Sequence, residues 1–324
     1  MIRSPWQVSA VLLPAALAAC SDPDSDLMSP PDDPGAITLT ATAFPAFAQS
    51  EGHFELWIAF GAGPVSAGRF KVREGGAIVG TDYQPTSFAV DAADPAVPVD
   101  GEGRIRWSAA SEVLVSVETS NVPAPRPARI TPGPVLLGGT FLNGSAGLSP
   151  THAGAIGENF GSASGSFVLA TPSTQTTADE TNGVWFVSPG GGSASLALPD
   201  LAGDWIYEGW VTNNSAGTAS LGRFRSATAA DTDGAGPLDG VPPTDAPGYP
   251  FPGSDFPFAD PGVTLAAGSV FVTAEPVGNA DGDGPFFLEL MGAPVPGGAT
   301  PGTSIAMNGT ASFPTVTVTV PAAP

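Results

Sequence analysis

Beyond residue 35, apolar positions in this chain recur at every second residue. Runs of five to eight residues stop at clusters of Gly, Pro, Asn and Asp. Alternation of this kind puts successive side chains on opposite faces of an extended strand, whereas a helix would return an apolar residue every three or four positions. The pattern predicts strands over 36–44, 54–60, 68–73, 104–108, 112–118, 135–141, 166–170, 183–188, 194–198, 205–212, 222–225, 269–275, 286–291, 303–307 and 315–320. No stretch carries three uninterrupted turns of amphipathic pattern, so the expected fold class is all-β.

The strands also repeat. Phe54-Glu55-Leu56-Trp57-Ile58 returns as Tyr207-Glu208-Gly209-Trp210-Val211, and Gly68-Arg69-Phe70 as Gly222-Arg223-Phe224. Upstream, Phe44-Pro45-Ala46-Phe47 answers Leu198-Pro199-Asp200-Leu201. Downstream, Val113–Glu118 answers Val270–Glu275, and Asn143-Gly144-Ser145-Ala146 answers Asn308-Gly309-Thr310-Ala311. The order is kept and the spacing drifts only through loop insertions, as a duplicated unit requires. Each copy has more strands than one two-sided sheet can bury. The expectation is therefore two tandem, related antiparallel β-sandwiches, 35–150 and 151–324, the second with an extra hairpin of 166–170 and 183–188. Within 54–60, Phe54, Leu56, Ile58 and Phe60 fall on one face and Glu55 and Trp57 on the other. The returning strand brings Arg69 opposite Glu55, and Arg223 opposite Glu208, as solvent-facing cross-strand ion pairs, the alternative being a ligand clamp.

Composition narrows the classes of function. With 10 Lys and Arg against 31 Asp and Glu, the net charge of −21 repels nucleic acid. A single Cys excludes a disulfide scaffold. The 42 Gly and 36 Pro, about a quarter of the chain, serve the many turns; 42% hydrophobic residues are enough for a core.

The N-terminus reads MIRSPWQVSAVLLPAALAAC, with Arg3 as its only charge. Its apolar stretch, Val8 to Ala19, is too short for the roughly 20 residues a bilayer core demands and suits the h-region of a secretion signal. Leu17-Ala18-Ala19-Cys20 resembles the lipobox of bacterial lipoprotein signal peptides, whose Cys carries a diacylglycerol. The resemblance implies a signal over 1–19, lipidation of Cys20, and a membrane partner reached through that lipid. Residues 20–34, rich in Asp, Pro and Ser, then read as a flexible acidic tether. The implied location is the bacterial cell envelope outside the cytoplasm, at the outer membrane in a Gram-negative host, with Ser21 following the Cys.

The run FELWIAFGAGPVSAGRFKV at 54–72, the strand ending at Glu118, and PAPRPARITPGPVLLGG at 123–139 are similar to the extracytoplasmic C-terminal domain of anti-sigma-K factors. Leu56-Trp57, Pro64-Val65-Ser66-Ala67-Gly68 and Glu118 carry the match. Gly209-Trp210, Ser220-Leu221-Gly222 and Glu275-Pro276 form its looser second copy. Together with Pro250-Phe251-Pro252-Gly253-Ser254-Asp255-Phe256, the chain resembles two-domain bacterial surface lipoproteins that carry this domain. That resemblance implies a β fold and an envelope location. Anti-sigma factors hold their sigma factor with a cytoplasmic helical domain joined through a transmembrane helix; neither pattern occurs here, so no direct sigma-factor binding is expected.

No catalytic constellation emerges. G-x-S-x-G is absent, Cys20 is expected to be acylated, and no Gly-rich loop is followed by Lys. His53, before a strand, and His152, in a Gly/Ala-rich loop, read as exposed loop histidines, the alternative being metal ligands meeting across the two copies. Calcium is the one cofactor with a candidate site. Asp231-Thr232-Asp233-Gly234 and Asp281-Gly282-Asp283-Gly284 set carboxylates two apart beside glycines, although Pro242 stands where an EF-hand needs its Glu. The expected function is a non-enzymatic envelope lipoprotein whose partner is an envelope protein or extracellular ligand. The alternatives are an accessory of envelope-stress signalling and an extracytoplasmic carboxylate-dependent hydrolase.

Overall fold

The computed structural model describes residues 36–48, 51–118, 131–174, 176–201, 203–231, 249–278 and 284–322. Among them the chain forms β1 (Thr38–Thr42), β2 (His53–Phe60), β3 (Gly63–Val72), β4 (Ile78–Val79), β5 (Glu112–Glu118), β6 (Val135–Thr140) and β7 (Ser145–Gly147). The second copy contributes β8 (Ser164–Leu169), β9 (Val184–Trp185), β10 (Leu196–Ala197), β11 (Trp205–Asn213), β12 (Gly217–Phe224) and β13 (Gly253–Ser254). It continues through β14 (Ser269–Pro276), β15 (Glu289–Pro294), β16 (Ile305–Gly309) and β17 (Thr315–Thr319). The chain is all-β, and its strand pairings are antiparallel.

The duplication is visible in the sheets. A five-stranded sheet runs β4-β3-β2-β5-β6, and a nine-stranded sheet contains the run β12-β11-β14-β15, the same neighbours in the same order as β3-β2-β5-β6. The irregularities are copied too. The β2/β3 register slips between Leu56 and Trp57, and the β11/β12 register between Gly209 and Trp210. The β5/β6 slip at Val115/Ser116 likewise answers the β14/β15 slip at Val272/Thr273. At the first pair of bulges stand Gly68, φ 147°, and Gly222, φ 105°, a conformation that a side chain resists and that explains the shared Gly-Arg-Phe.

The expected hairpin 166–170 with 183–188 forms: β8 pairs β9 at Val168↔Trp185 and Leu169↔Val184, extending the second sheet. Phe186, just beyond β9, is fully buried and lies over Gly209. The first copy has Leu56 at the equivalent position. Residues 104–108, predicted as a strand, instead carry only the isolated bridge Val99↔Ile105 and a 3-10 turn, Trp107–Ala109. Its backbone is engaged locally instead: Asp100 N–H donates to Arg104 O and Arg106 N–H to Pro98 O, closing a tight turn through Gly101 and Gly103. Three short strands escaped the alternation pattern: β4, β7 and β13, of two or three residues each.

A third sheet, β1-β17-β7, draws its middle strand from the end of the second copy and its outer strands from the first. A boundary at residue 150 runs through this sheet. Aromatic contacts also cross between the copies: Phe286 packs on Phe47, and Phe287 on Phe54. Residues of both copies belong to one continuous core within one compact unit.

Candidate functional site

The repeated residues build two matching polar ladders on the sheet faces opposite the Phe54–Phe60 core side. In the first, Trp57 Nε1 donates to Ser116 Oγ at 2.9 Å, and Ser116 Oγ donates to Glu118 Oε1 at 2.6 Å. Glu118 Oε1 also accepts the Gly133 N–H at 2.9 Å. Alongside, Ser66 Oγ donates to Glu55 Oε1 at 2.5 Å, and Arg69 Nε stands 3.5 Å from Glu55 Oε2. The register that makes this possible is Glu55↔Arg69 on one side and Glu55↔Ser116 on the other.

The second ladder repeats each contact. Trp210 Nε1 donates to Thr273 Oγ1 at 2.9 Å, Thr273 Oγ1 donates to Glu275 Oε1, and Glu275 Oε1 accepts the Phe286 N–H at 2.9 Å. Ser220 Oγ donates to Glu208 Oε1 at 2.7 Å, and Arg223 Nε to Glu208 Oε2 at 2.7 Å. Lys71 and Arg225, next after the shared Arg-Phe, both cap carbonyls: Lys71 Nζ reaches Ala48 O and Glu51 O, and Arg225 reaches Trp205 O and Gly203 O.

These are not solvent-facing pairs, as the sequence suggested. Glu55, Glu118, Glu208 and Glu275 are 1%, 5%, 3% and 1% exposed. Both strand faces are buried here, so a carboxylate could remain only with several donors around it. Burial lowers the Lys71 ammonium below its ordinary value, against the opposing pull of Glu51. Burial of the Tyr207 hydroxyl, which donates to Pro199 O at 2.5 Å, pushes its pKa well up.

A second cluster surrounds Asp255 of the Pro-Phe-Pro-Gly-Ser-Asp-Phe stretch. Its Oδ1 accepts the Trp185 indole N–H at 2.7 Å and its Oδ2 the Ser173 N–H at 2.7 Å. Tyr249 meets the Trp185 ring edge to face, with centroids 5.4 Å apart. Gly253 explains the motif's glycine: at φ 145° it pairs with Trp185, and a Cβ would lie 2.5 Å from Val184 O. Nearby, Glu180 Oε2 accepts the Thr171 N–H, and Asp179 Oδ1 accepts from Thr171 and Thr174. Burial raises the Asp255 pKa, opposed by the Ser173 and Trp185 hydrogen bonds and reinforced by the charge of Glu180. Burial raises Tyr249 as well, helped by Glu180 and Asp255.

The histidines do not meet the expectation equally. His53 is no loop residue; it opens β2, is buried, and is the register partner of Glu118. Alternation puts it on the ladder face with Glu55 and Trp57, which is why it is covered. His152 does lie in a loop, half-buried, with Nδ1 accepting the Gly154 N–H at 3.1 Å. Its ring rests on the backbone of Gly138, where a Cβ would come within 2.5 Å of Nδ1.

Asp231 is half-buried at the edge of the described residues, whereas Asp233, Asp281, Asp283 and Cys20 lie outside them. Among the described residues no group of three or more His, Cys, Asp or Glu is arranged to hold a metal ion, and no helix is long and apolar enough to cross a membrane. Sequence reasoning paired Glu118 with Glu275 as repeats but missed their hydrogen-bonding roles. The available signal was the two-residue step from Ser116 and Thr273, which puts hydroxyl and carboxylate on one face. Comparison with protein-family models, curated proteins and solved structures finds nothing that matches this chain.

Proposed function

We propose that this chain is a bacterial cell-envelope lipoprotein, anchored by lipid on Cys20, whose duplicated β unit serves as a non-enzymatic binding, sensing or structural module. The observation that carries the reading is the use made of the repeated polar residues. Glu55, Glu118, Glu208 and Glu275 are buried and engaged by hydroxyls, guanidinium groups or backbone N–H groups of their own copies. What the two copies share builds and fixes the sheets. The lipobox-like Leu17-Ala18-Ala19-Cys20 supports the anchor, and the net charge of −21 supports a solvated surface outside the cytoplasm that shuns nucleic acid.

Crosslinking on intact cells followed by mass spectrometry tests the module role. A specific envelope protein or glycan captured by the wild type is the expected result. Turnover of a panel of esters, peptides or glycosides by the purified chain overturns it in favour of the hydrolase reading. That reading draws on the buried carboxyl of Asp255, held in a cluster with Glu180 nearby and its pKa pushed up by burial. Its weakness is that Trp185 and Ser173 already occupy both Asp255 oxygens. An accessory role in envelope-stress signalling, without direct sigma-factor contact, rests on the anti-sigma-K resemblance alone, which is a fold-level warrant.

A further inference from the structure

β17 reaches the β1/β7 sheet from the other copy. It is paired on one edge with β1, from Thr38↔Thr319 to Thr42↔Thr315, and on the other with β7, from Thr317↔Gly147 to Thr319↔Ser145. Its alternation is complete: Thr315, Thr317 and Thr319 are exposed, while Val316, Val318 and Val320 are 2%, 0% and 4% exposed in the core. The strand thus occupies a slot with two hydrogen-bonding edges and three side-chain pockets. Before it, residues 310–314 are fixed on the second copy's side. Thr310 N–H donates to Leu290 O at 2.9 Å, its Oγ1 donates to Glu289 Oε1 at 3.0 Å, and Phe313 stacks on Phe160 with centroids 6.2 Å apart.

We propose that the slot between β1 and β7 is a strand-acceptor site and that its alternative occupant is β17 of a second copy of this chain, so that neighbouring copies link by exchanging this strand. Every pairing and every buried valine would be the same whichever chain supplies the strand, so the exchanged state costs little beyond rearranging 310–314. Charge permits it as well. Residues 34–50 and 290–324 contain no Asp, Glu, Lys or Arg, and 130–157 contain only His152 among titratable side chains, in a protein of net charge −21. The three strands of this sheet therefore come from neutral stretches of the chain, so no charge on the strands themselves opposes the approach of two copies. A linker of five residues gives the chain's own β17 a high effective concentration at its own slot, so the closed form dominates in dilute solution. The exchanged form gains where copies are crowded. Crowding on a membrane rests on the lipid-anchor reading; the slot does not.

Two measurements test the exchange. Differently tagged full-length chains, one carrying Thr40→Cys and the other Thr317→Cys, are co-expressed and the cells oxidised. These positions are register partners with exposed side chains. A disulfide joining both tags, absent when either chain is co-expressed with the unsubstituted one, is expected. Its absence, while a chain carrying both substitutions closes its own disulfide, overturns the proposal. The second measurement uses a purified Cys20→Ala chain lacking residues 311–313, whose shortened linker keeps β17 from its own slot. Light scattering is expected to give twice the monomer mass, and a folded monomer overturns the proposal. Because this chain has no anchor, its failure speaks against the slot and leaves the lipoprotein reading to its own test.

Discussion

The ring of Phe186 occupies the place where residue 209 would carry a side chain: a Cβ on Gly209 would stand 2.7 Å from Phe186 Cε2. In the first copy that place belongs to Leu56, fully buried. The extra hairpin of the second copy thus supplies, through Phe186, the apolar group that Leu56 supplies in the first. Gly209→Leu is expected to destabilise the chain by about 1–3 kcal/mol through overpacking. Phe186→Ala alone should cost about 3–5 kcal/mol. The double variant should lose clearly less than the sum, because the new leucine fills the emptied space. Urea unfolding of the four chains measures the coupling, and strict additivity would contradict the account.

The two ladders should respond alike. Trp57→Phe and Trp210→Phe each remove one indole donor from a buried hydroxyl, at about 0.5–1.5 kcal/mol. Glu118→Gln and Glu275→Gln should each cost more, about 1–3 kcal/mol, since an amide cannot accept both the hydroxyl and the backbone N–H that meet on one carboxylate oxygen without turning its own donors into the buried site. Chemical unfolding of the matched pairs checks this. A substitution that matters in one copy and is silent in the other would show that the equivalence is only geometric.

Asp255 gives a pH dependence with a definite sign. Its pKa is raised in the folded chain, chiefly by burial, so the folded state holds that proton more tightly than the unfolded state does. The resulting stabilisation is fully present below the unfolded value of about 4 and is lost as pH rises through the folded value. Asp255→Asn removes the titration. The stability of the wild type relative to this variant should therefore fall as pH rises from acid toward neutral. Unfolding free energies measured across that range, with a difference that does not vary with pH, would refute the assignment. Lys71 carries the opposite case. Its pKa is lowered by burial, so its contribution should improve as pH climbs through the folded value toward the ordinary lysine range.

Local alternation made most strands legible, because it depends only on which neighbouring residues must face the core. Residues 112–118 became β5 end for end, and the pairing of Glu55 with Arg69 followed from strand and turn lengths. What the alternation could not convey was the second covering of the sheets. It read Glu55 and Glu208 as surface residues and His53 as a loop residue, and all three are buried. Their burial depends on segments distant in sequence. The placement of β17 between β1 and β7 was illegible for the same reason: TLTAT and TVTVT show only that each has one apolar face. The Trp185–Asp255 hydrogen bond joins residues 70 apart, and only the shape of the fold brings them together.

Lipid attachment at Cys20 is the proposal on which the envelope reading stands. Metabolic labelling with palmitate, comparing the wild-type chain with Cys20→Ala in a bacterial host that processes lipoproteins, tests it most directly. Label on the wild-type protein that disappears entirely in the variant is the predicted result. Label that persists in the variant, or a wild-type protein that never acquires it, would contradict the account.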